Sequence, residues 1–149
     1  ATDERFCMAV SNCSGNSGAA LSRGNTGETI ADVTGRFPHW FCKKYAKYAY
    51  KEDKLPFDQH QLLGLIAPRY LYVASATQDA WADPDGELLS ARMASAYYEA
   101  HGLTGVVAPQ KIQPDLPYTD GHIGYHRRTG KHAMTPFDWQ AYTDVLKRI

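Results

Sequence analysis

The sequence has no surplus of either charge, since 16 Lys and Arg stand against 16 Asp and Glu. That balance excludes a phosphate-tracking nucleic-acid binder and a polybasic membrane binder, both of which need clustered positive charge. No apolar run approaches the roughly 18 residues that a membrane-spanning helix requires. Neither nucleic acid nor a membrane is an expected partner. Cysteine is scarce: Cys7, Cys13 and Cys42 form an odd set without a CxxC pair, so neither a zinc ribbon nor a disulfide scaffold is encoded. A G-x-S-x-G nucleophile elbow is missing as well, because Gly15-Asn16-Ser17-Gly18 is one residue short of it. Ser14 and Ser17 read as loop-turn serines. The first ten residues carry neither the basic stretch nor the apolar stretch of an export signal.

What is present fits a packed globule of one domain: 149 residues, 44% hydrophobic and 21% charged. An apolar run over Phe6–Val10 enters the loop SNCSGNSG and predicts a buried strand. Residues 21–35 are small, polar and punctuated by glycine, while aromatic spacing predicts a helix over Trp40–Tyr50. Asp58 is placed to cap a second helix, which Pro68 ends. Tyr70–Ala76 is apolar without alternation, as in a parallel strand covered on both faces. A long helix is expected from Glu87 to His101, with Leu88, Leu89, Met93, Ala96 and Tyr97 inward. Val106–Ile112 reads as a strand. Pro136–Ile149 reads as a closing helix that buries Phe137, Tyr142, Val145 and Leu146.

Strand alternating with helix is the α/β class. Three or so parallel strands leave one edge unpaired, so the expectation is the C-terminal half of a larger α/β domain, with a small three-layer domain as the alternative. In open α/β sheets, catalytic groups gather beyond the C-terminal strand ends. Asp79 follows Tyr70–Ala76 directly, and His132 lies in the loop before the last helix. An acid and then a histidine at those places is the second half of the Ser, Asp/Glu, His order of α/β-hydrolases. The carboxylate would keep one imidazole nitrogen protonated and leave the other to accept a serine proton. The competing reading is a loop aspartate in an Asx-turn and a surface histidine. Asp83 is the rival acid, although its place before Pro84 suits a turn or cap. His122 and His126 are four apart with His132 beyond, but no HExxH glutamate accompanies them, so no metal site is expected. His39 and His60 read as buried loop-fixing residues, and His101 as a helix C-terminal residue favourable to the dipole.

The segments SNCSGNSGAALSRGNTGETI, FPHWFC, Asp58–His60, LIAPRYLYVASATQDAWADPDGE and GYHRRTGKHAMTPFDW together resemble bacterial glucuronoyl esterases, carbohydrate esterase family fifteen. The blocks occur in the family's order over essentially the whole chain. The resemblance is to the C-terminal part of that catalytic domain and implies an α/β-hydrolase three-layer sandwich with a mostly parallel sheet. It implies a serine-type ester hydrolase acting on glucuronic acid esters between xylan and lignin, without cofactor or metal, exported to the periplasm or beyond. The nucleophile elbow, Ser-Arg-x-Gly-Lys in the family, is expected to end about six residues before Ala1, in a missing N-terminal half of the same domain. His132 then takes the place of the general base and Asp79 that of the acid. Glu28 and Trp81 take the places that contact the hydroxyls and ring of the glucuronic acid. Many members carry a glutamate as the acid in the SNxSG loop, where this chain has Cys13, so the acid role falls to Asp79. The alternative from another class is a noncatalytic carbohydrate-binding or structural fragment.

Overall fold

A computed structural model describes all 149 residues. Its sheet has three parallel strands in the order β1 (Met8–Asn12), β2 (Tyr70–Ala76) and β3 (Ile123–Arg128). Central β2 is buried along nearly its whole length because both its faces are covered, which is why its sequence does not alternate. Leu71 and Val73 meet Leu63, Ile66, Leu88, Ala91, Ala94 and Tyr98 on one face. Tyr72 and Ala74 meet Ala141, Tyr142 and Val145 on the other. The result is three layers, with α2 (Gln59–Gly64) and α3 (Pro84–Glu99) on one side and α4 (Pro136–Leu146) on the other. The outer edge of β1 has no partner strand.

The helix starts follow local chemistry. Asp58 caps α2 in a reciprocal box with Gln61, and Pro136 opens α4 behind a Thr135–Asp138 box. Asp83 caps α3, its carboxylate accepting from the Gly86 N–H. A short helix, α1 (Ile30–Arg36), forms in the glycine-punctuated region, where Thr29 and Asp32 make a third capping box. Sequence reasoning left that helix out because its apolar face is only Ile30 and Val33.

Several expectations need correction, beginning with the first strand, which is not a buried run over Phe6–Val10 but Met8–Asn12 with Phe6 and Val10 exposed. The aromatic stretch at 40–50 is two 3₁₀ turns, Pro38–Trp40 and Tyr45–Tyr48, and not an α-helix. Its aromatics stack on one another, Phe37 on Trp40 at 4.2 Å between ring centroids, instead of presenting one helical face to a core. The third strand is Ile123–Arg128, whereas Val106–Ile112 contributes a single bridge, Val106 to Ile123. Polar residues concealed β3: His126 and Arg128 are buried in it because α4 supplies a carboxylate for both. On α3 the inward stripe is Glu87, Leu88, Ser90, Ala91, Ala94 and Tyr98, while Leu89 and Met93 are exposed. Small residues let α3 lie close to the sheet, and Glu87 and Ser90 are polar, so the apolar pattern pointed to the wrong stripe. Leu146 and His39 are exposed, and His60 is half-buried.

Candidate active site

The loops that leave the C-terminal ends of the three parallel strands meet at one place, and backbone hydrogen bonds fasten them. The Thr77 N–H donates to the Arg128 carbonyl and the Gln78 N–H to the Gly130 carbonyl, so the loop after β2 is strapped to the loop after β3. The Cys13 N–H donates to the Ala74 carbonyl, which ties the loop after β1 to β2. Asn12 Nδ2 donates to the Ala133 carbonyl, closing the ring of three loops.

This convergence brings Asp79 Oδ2 to 2.8 Å from His132 Nδ1. Asp79 is buried, whereas the His132 side chain is 70% exposed, so the imidazole is held from behind and is open in front. The same length separates His126 Nε2 from Asp138 Oδ1, but that pair is only 0% and 1% exposed. Burial lowers the pKa of His126 against the raising effect of the Asp138 contact. Access to solvent separates the two His–Asp pairs, not hydrogen-bond length.

In front of His132 lies a cavity of about 380 Å³ lined by Cys13, Ser14, Glu28, Phe37, Trp40, Trp81, Ala82 and His132. Glu28 and Trp81, far apart in sequence, are joined there by the Glu28 N–H donating to the Trp81 carbonyl at 2.8 Å. Burial raises the Glu28 pKa, against the lowering effect of the Trp81 side chain and the Asn16 N–H. The Arg36 guanidinium lies 4.6 Å from the Trp81 ring centroid, a cation–π contact that holds the indole from outside. Gly27 has no room for a side chain, because a Cβ there would run into the backbone carbonyls of Ala80 and Trp81. Gly27→Ala is expected to destabilise the protein by about 1–3 kcal/mol, the usual cost of forcing atoms into a filled site, and denaturant titration measures it.

Asp83, the rival acid, is occupied elsewhere. Its carboxylate accepts from the Thr26 N–H, the Thr26 hydroxyl and the Gly86 N–H. It pins the loop bearing Glu28 to the start of α3 with a left-handed backbone at φ 52°. His122 stacks on Tyr70 and His126 is bound to Asp138 and Tyr72, so neither joins His132. The ligand-type side chains that do converge are Cys13, Asp79 and His132.

Sequence reasoning assigned no role to two supports of this site. Glu87, fully buried at the start of α3, accepts from the Ser14 and Gly15 N–H groups through Oε1 and from the Ser75 hydroxyl through Oε2. It therefore shapes the loop that carries Cys13. Burial pushes its pKa up to about 7 from 4.5, outweighing the four hydrogen bonds it accepts. An acid with a higher pKa folded than unfolded holds more protons in the native state between the two values. The stability it contributes is thus complete below about 4.5 and is lost as pH rises through about 7. Glu87→Gln, which keeps the shape and cannot ionise, is expected to flatten the fall in stability across that window, as read from melting temperatures at stepped pH.

The second support is Arg128, whose Nη2 donates to the Lys131 and Ala133 carbonyls on either side of His132. Asp138 holds the guanidinium at 3.0 Å. Nothing in the sequence links position 128 to position 138 beyond their types, and Glu87 reads as an ordinary first-turn glutamate.

The parallel sheet, the covering helices and the loops gathered at its C-terminal edge define the α/β-hydrolase class of fold. The family model described as "Glucuronyl esterase, fungi" matches residues 1–112. The chain is 49% identical over 144 residues to carbohydrate esterase MZ0003 from an unknown prokaryotic organism, covering 97% of this chain and 33% of that protein. It superposes with TM-score 0.94 and 47% identity on a promiscuous family-15 esterase from a marine bacterial metagenome, covering 98% of this chain and 36% of the other. The glucuronoyl esterase of Solibacter usitatus matches with TM-score 0.89 and 44% identity over 97% of this chain and 37% of its own. The chain belongs to the glucuronyl esterase family. It spans about a third of the length of the relatives it matches.

Proposed function

We propose that this chain is the C-terminal part of a serine-type glucuronoyl esterase domain, supplying the acid, the base and part of the sugar site. The observation that carries this is the Asp79–His132 pair at the mouth of a cavity that also holds Glu28 and Trp81. The substrate is an ester between the carboxyl of glucuronic acid on xylan and a lignin-type alcohol. Trp81 offers an apolar face to the pyranose ring and Glu28 accepts from its hydroxyls.

In the reaction, His132 Nδ1–H donates to Asp79, which leaves Nε2 to take the proton of a serine hydroxyl contributed by the other part of the domain. The serine oxygen adds to the ester carbonyl, the tetrahedral oxyanion is held by donors of that same part, and His132 returns the proton to the departing alcohol. Water then cleaves the acyl-enzyme by the same route. Asp79 fixes the tautomer and stabilises the imidazolium. Acting on a wall polymer requires an exported enzyme, and no helix in the structure is long and apolar enough to cross a membrane.

The test is hydrolysis of an aryl-alkyl ester of glucuronic acid by the protein that carries this chain. Turnover should disappear in His132→Ala and be absent from residues 1–149 alone. Turnover by residues 1–149 alone would remove the division of the triad between two parts. Retained turnover in His132→Ala would remove the base.

A further inference from the structure

Cys13 has no part in the acyl-transfer chemistry, yet it stands beside the residues that do. Its ligand atom and those of Asp79 and His132 all lie within 4.8 Å of one another. These are a sulfur, a carboxylate oxygen and an imidazole nitrogen, from three loops that the backbone straps together. We propose that Cys13, Asp79 and His132 form a binding site for one thiophilic divalent cation of the Zn²⁺ type, with the fourth position open to the cavity.

The dimensions suit that cation. Zinc bonds of about 2.3 Å to sulfur and about 2.0 Å to nitrogen and oxygen put tetrahedral donors roughly 3.3–3.6 Å apart. The Asp79–His132 contact of 2.8 Å must open and the widest separation, which does not exceed 4.8 Å, must close by at most about 1.2–1.5 Å. The Cys13 backbone is held by its N–H bond to the Ala74 carbonyl, its thiol donates to the Ala133 carbonyl at 3.9 Å, and Asp79 is buried. The exposed imidazole is the ligand with the most room to adjust.

The donor set also selects the ion. Calcium and magnesium take oxygen ligands, whereas a thiolate with an imidazole favours zinc and its neighbours. Arg128 lies behind the loop as an opposing charge. Burial pushes the Cys13 thiol up to about 11, so the thiolate is not preformed. On binding, the sulfur–metal bond forms as the thiol proton leaves to solvent. The coordinating imidazole nitrogen offers its lone pair while the other nitrogen keeps the ring proton. A bound cation replaces the Asp79–His132 hydrogen bond, and the site cannot hold metal and serve as an acid–base pair at once.

The probe is Co²⁺ alone, titrated without substrate into purified, monodisperse protein carrying the chain. One equivalent should produce a thiolate-to-cobalt charge-transfer band and tetrahedral d–d absorption, both displaced by Zn²⁺. Cys13→Ser should abolish the charge-transfer band, and His132→Ala and Asp79→Asn should each weaken binding at least tenfold. Because Cys7 and Cys42 are exposed, only a band that depends on Cys13 counts. Melting curves establish that Cys13→Ser folds, and His132→Ala, altering an exposed side chain, provides the second arm if it does not. Absence of a Cys13-dependent band, or a band undiminished in His132→Ala, overturns the proposal. The readout needs no turnover, so failure here leaves the esterase reading intact, and failure of that reading leaves the metal site standing.

Discussion

Asp79→Asn should lower turnover of a glucuronate ester by roughly three to four orders of magnitude while leaving folding almost unchanged. The amide that replaces the carboxylate can donate to His132 Nδ1. It would then stabilise the tautomer that carries its proton on Nε2, where the serine proton has to go. The imidazolium formed in the transition state would also lose its counter-charge. KM should change far less than kcat, because the cavity wall of Glu28 and Trp81 is untouched. Asp83→Asn should show the opposite pattern. Its carboxylate caps α3 and holds Thr26, so the expected result is about 1 kcal/mol of lost stability with turnover largely retained. Stopped-flow or steady-state kinetics with thermal melts on both variants decide the matter. Full activity in Asp79→Asn with collapse in Asp83→Asn would move the acid role to Asp83.

Asp138→Ala should be the most destabilising single substitution considered, by about 3–5 kcal/mol. The Asp138 carboxylate is 1% exposed and accepts from Arg128 Nε, the Thr135 N–H and the Thr135 hydroxyl, with His126 Nε2 at 2.8 Å. Burial works to raise its pKa, but the Thr135, His126 and Arg128 contacts together hold it below the usual carboxylate range. Removing it strands the Arg128 guanidinium, itself only 9% exposed, without a counter-charge. It also takes the capping box from α4. The substitution should therefore loosen the loop of His132, which Arg128 grips on both sides. The double variant Arg128→Met with Asp138→Leu isolates the effect, since removing both charges should cost less than removing one. Denaturant unfolding of the three proteins checks this. Equal losses in the single and double variants would show that the ion pair is not the source.

Much of the architecture was legible because it rests on short-range chemistry. β2 shows itself by unbroken apolar character, α2 by its Asp58 cap and α4 by Pro136 at its start. The place just past β2 points to Asp79, and the loop before α4 points to His132. The parts that stayed hidden are those where a polar side chain is buried against a partner remote in sequence. β3 carries His126 and Arg128 and looks like a loop until Asp138 is seen to face both. The inward face of α3 was misread for the same reason, since Glu87 is buried against the Ser14–Gly15 backbone while Leu89 and Met93 point out.

The chain order of β2, acid, histidine and closing helix follows from sequence alone, because apolar runs and breakers act over a few residues, whereas the strand before His132 does not show itself. Family membership was equally readable, from blocks of residues in a fixed order. Which carboxylate meets which histidine was decided only in three dimensions. Asp79 and His132 are 53 positions apart, as are many pairs that never touch, and the straps from Thr77 to Arg128 and from Gln78 to Gly130 bring them together. The approach of Cys13 to both is likewise a product of parallel strands ending side by side. Each strand end is specified locally, but their convergence depends on register and on burial of the covering helices, which no local pattern encodes.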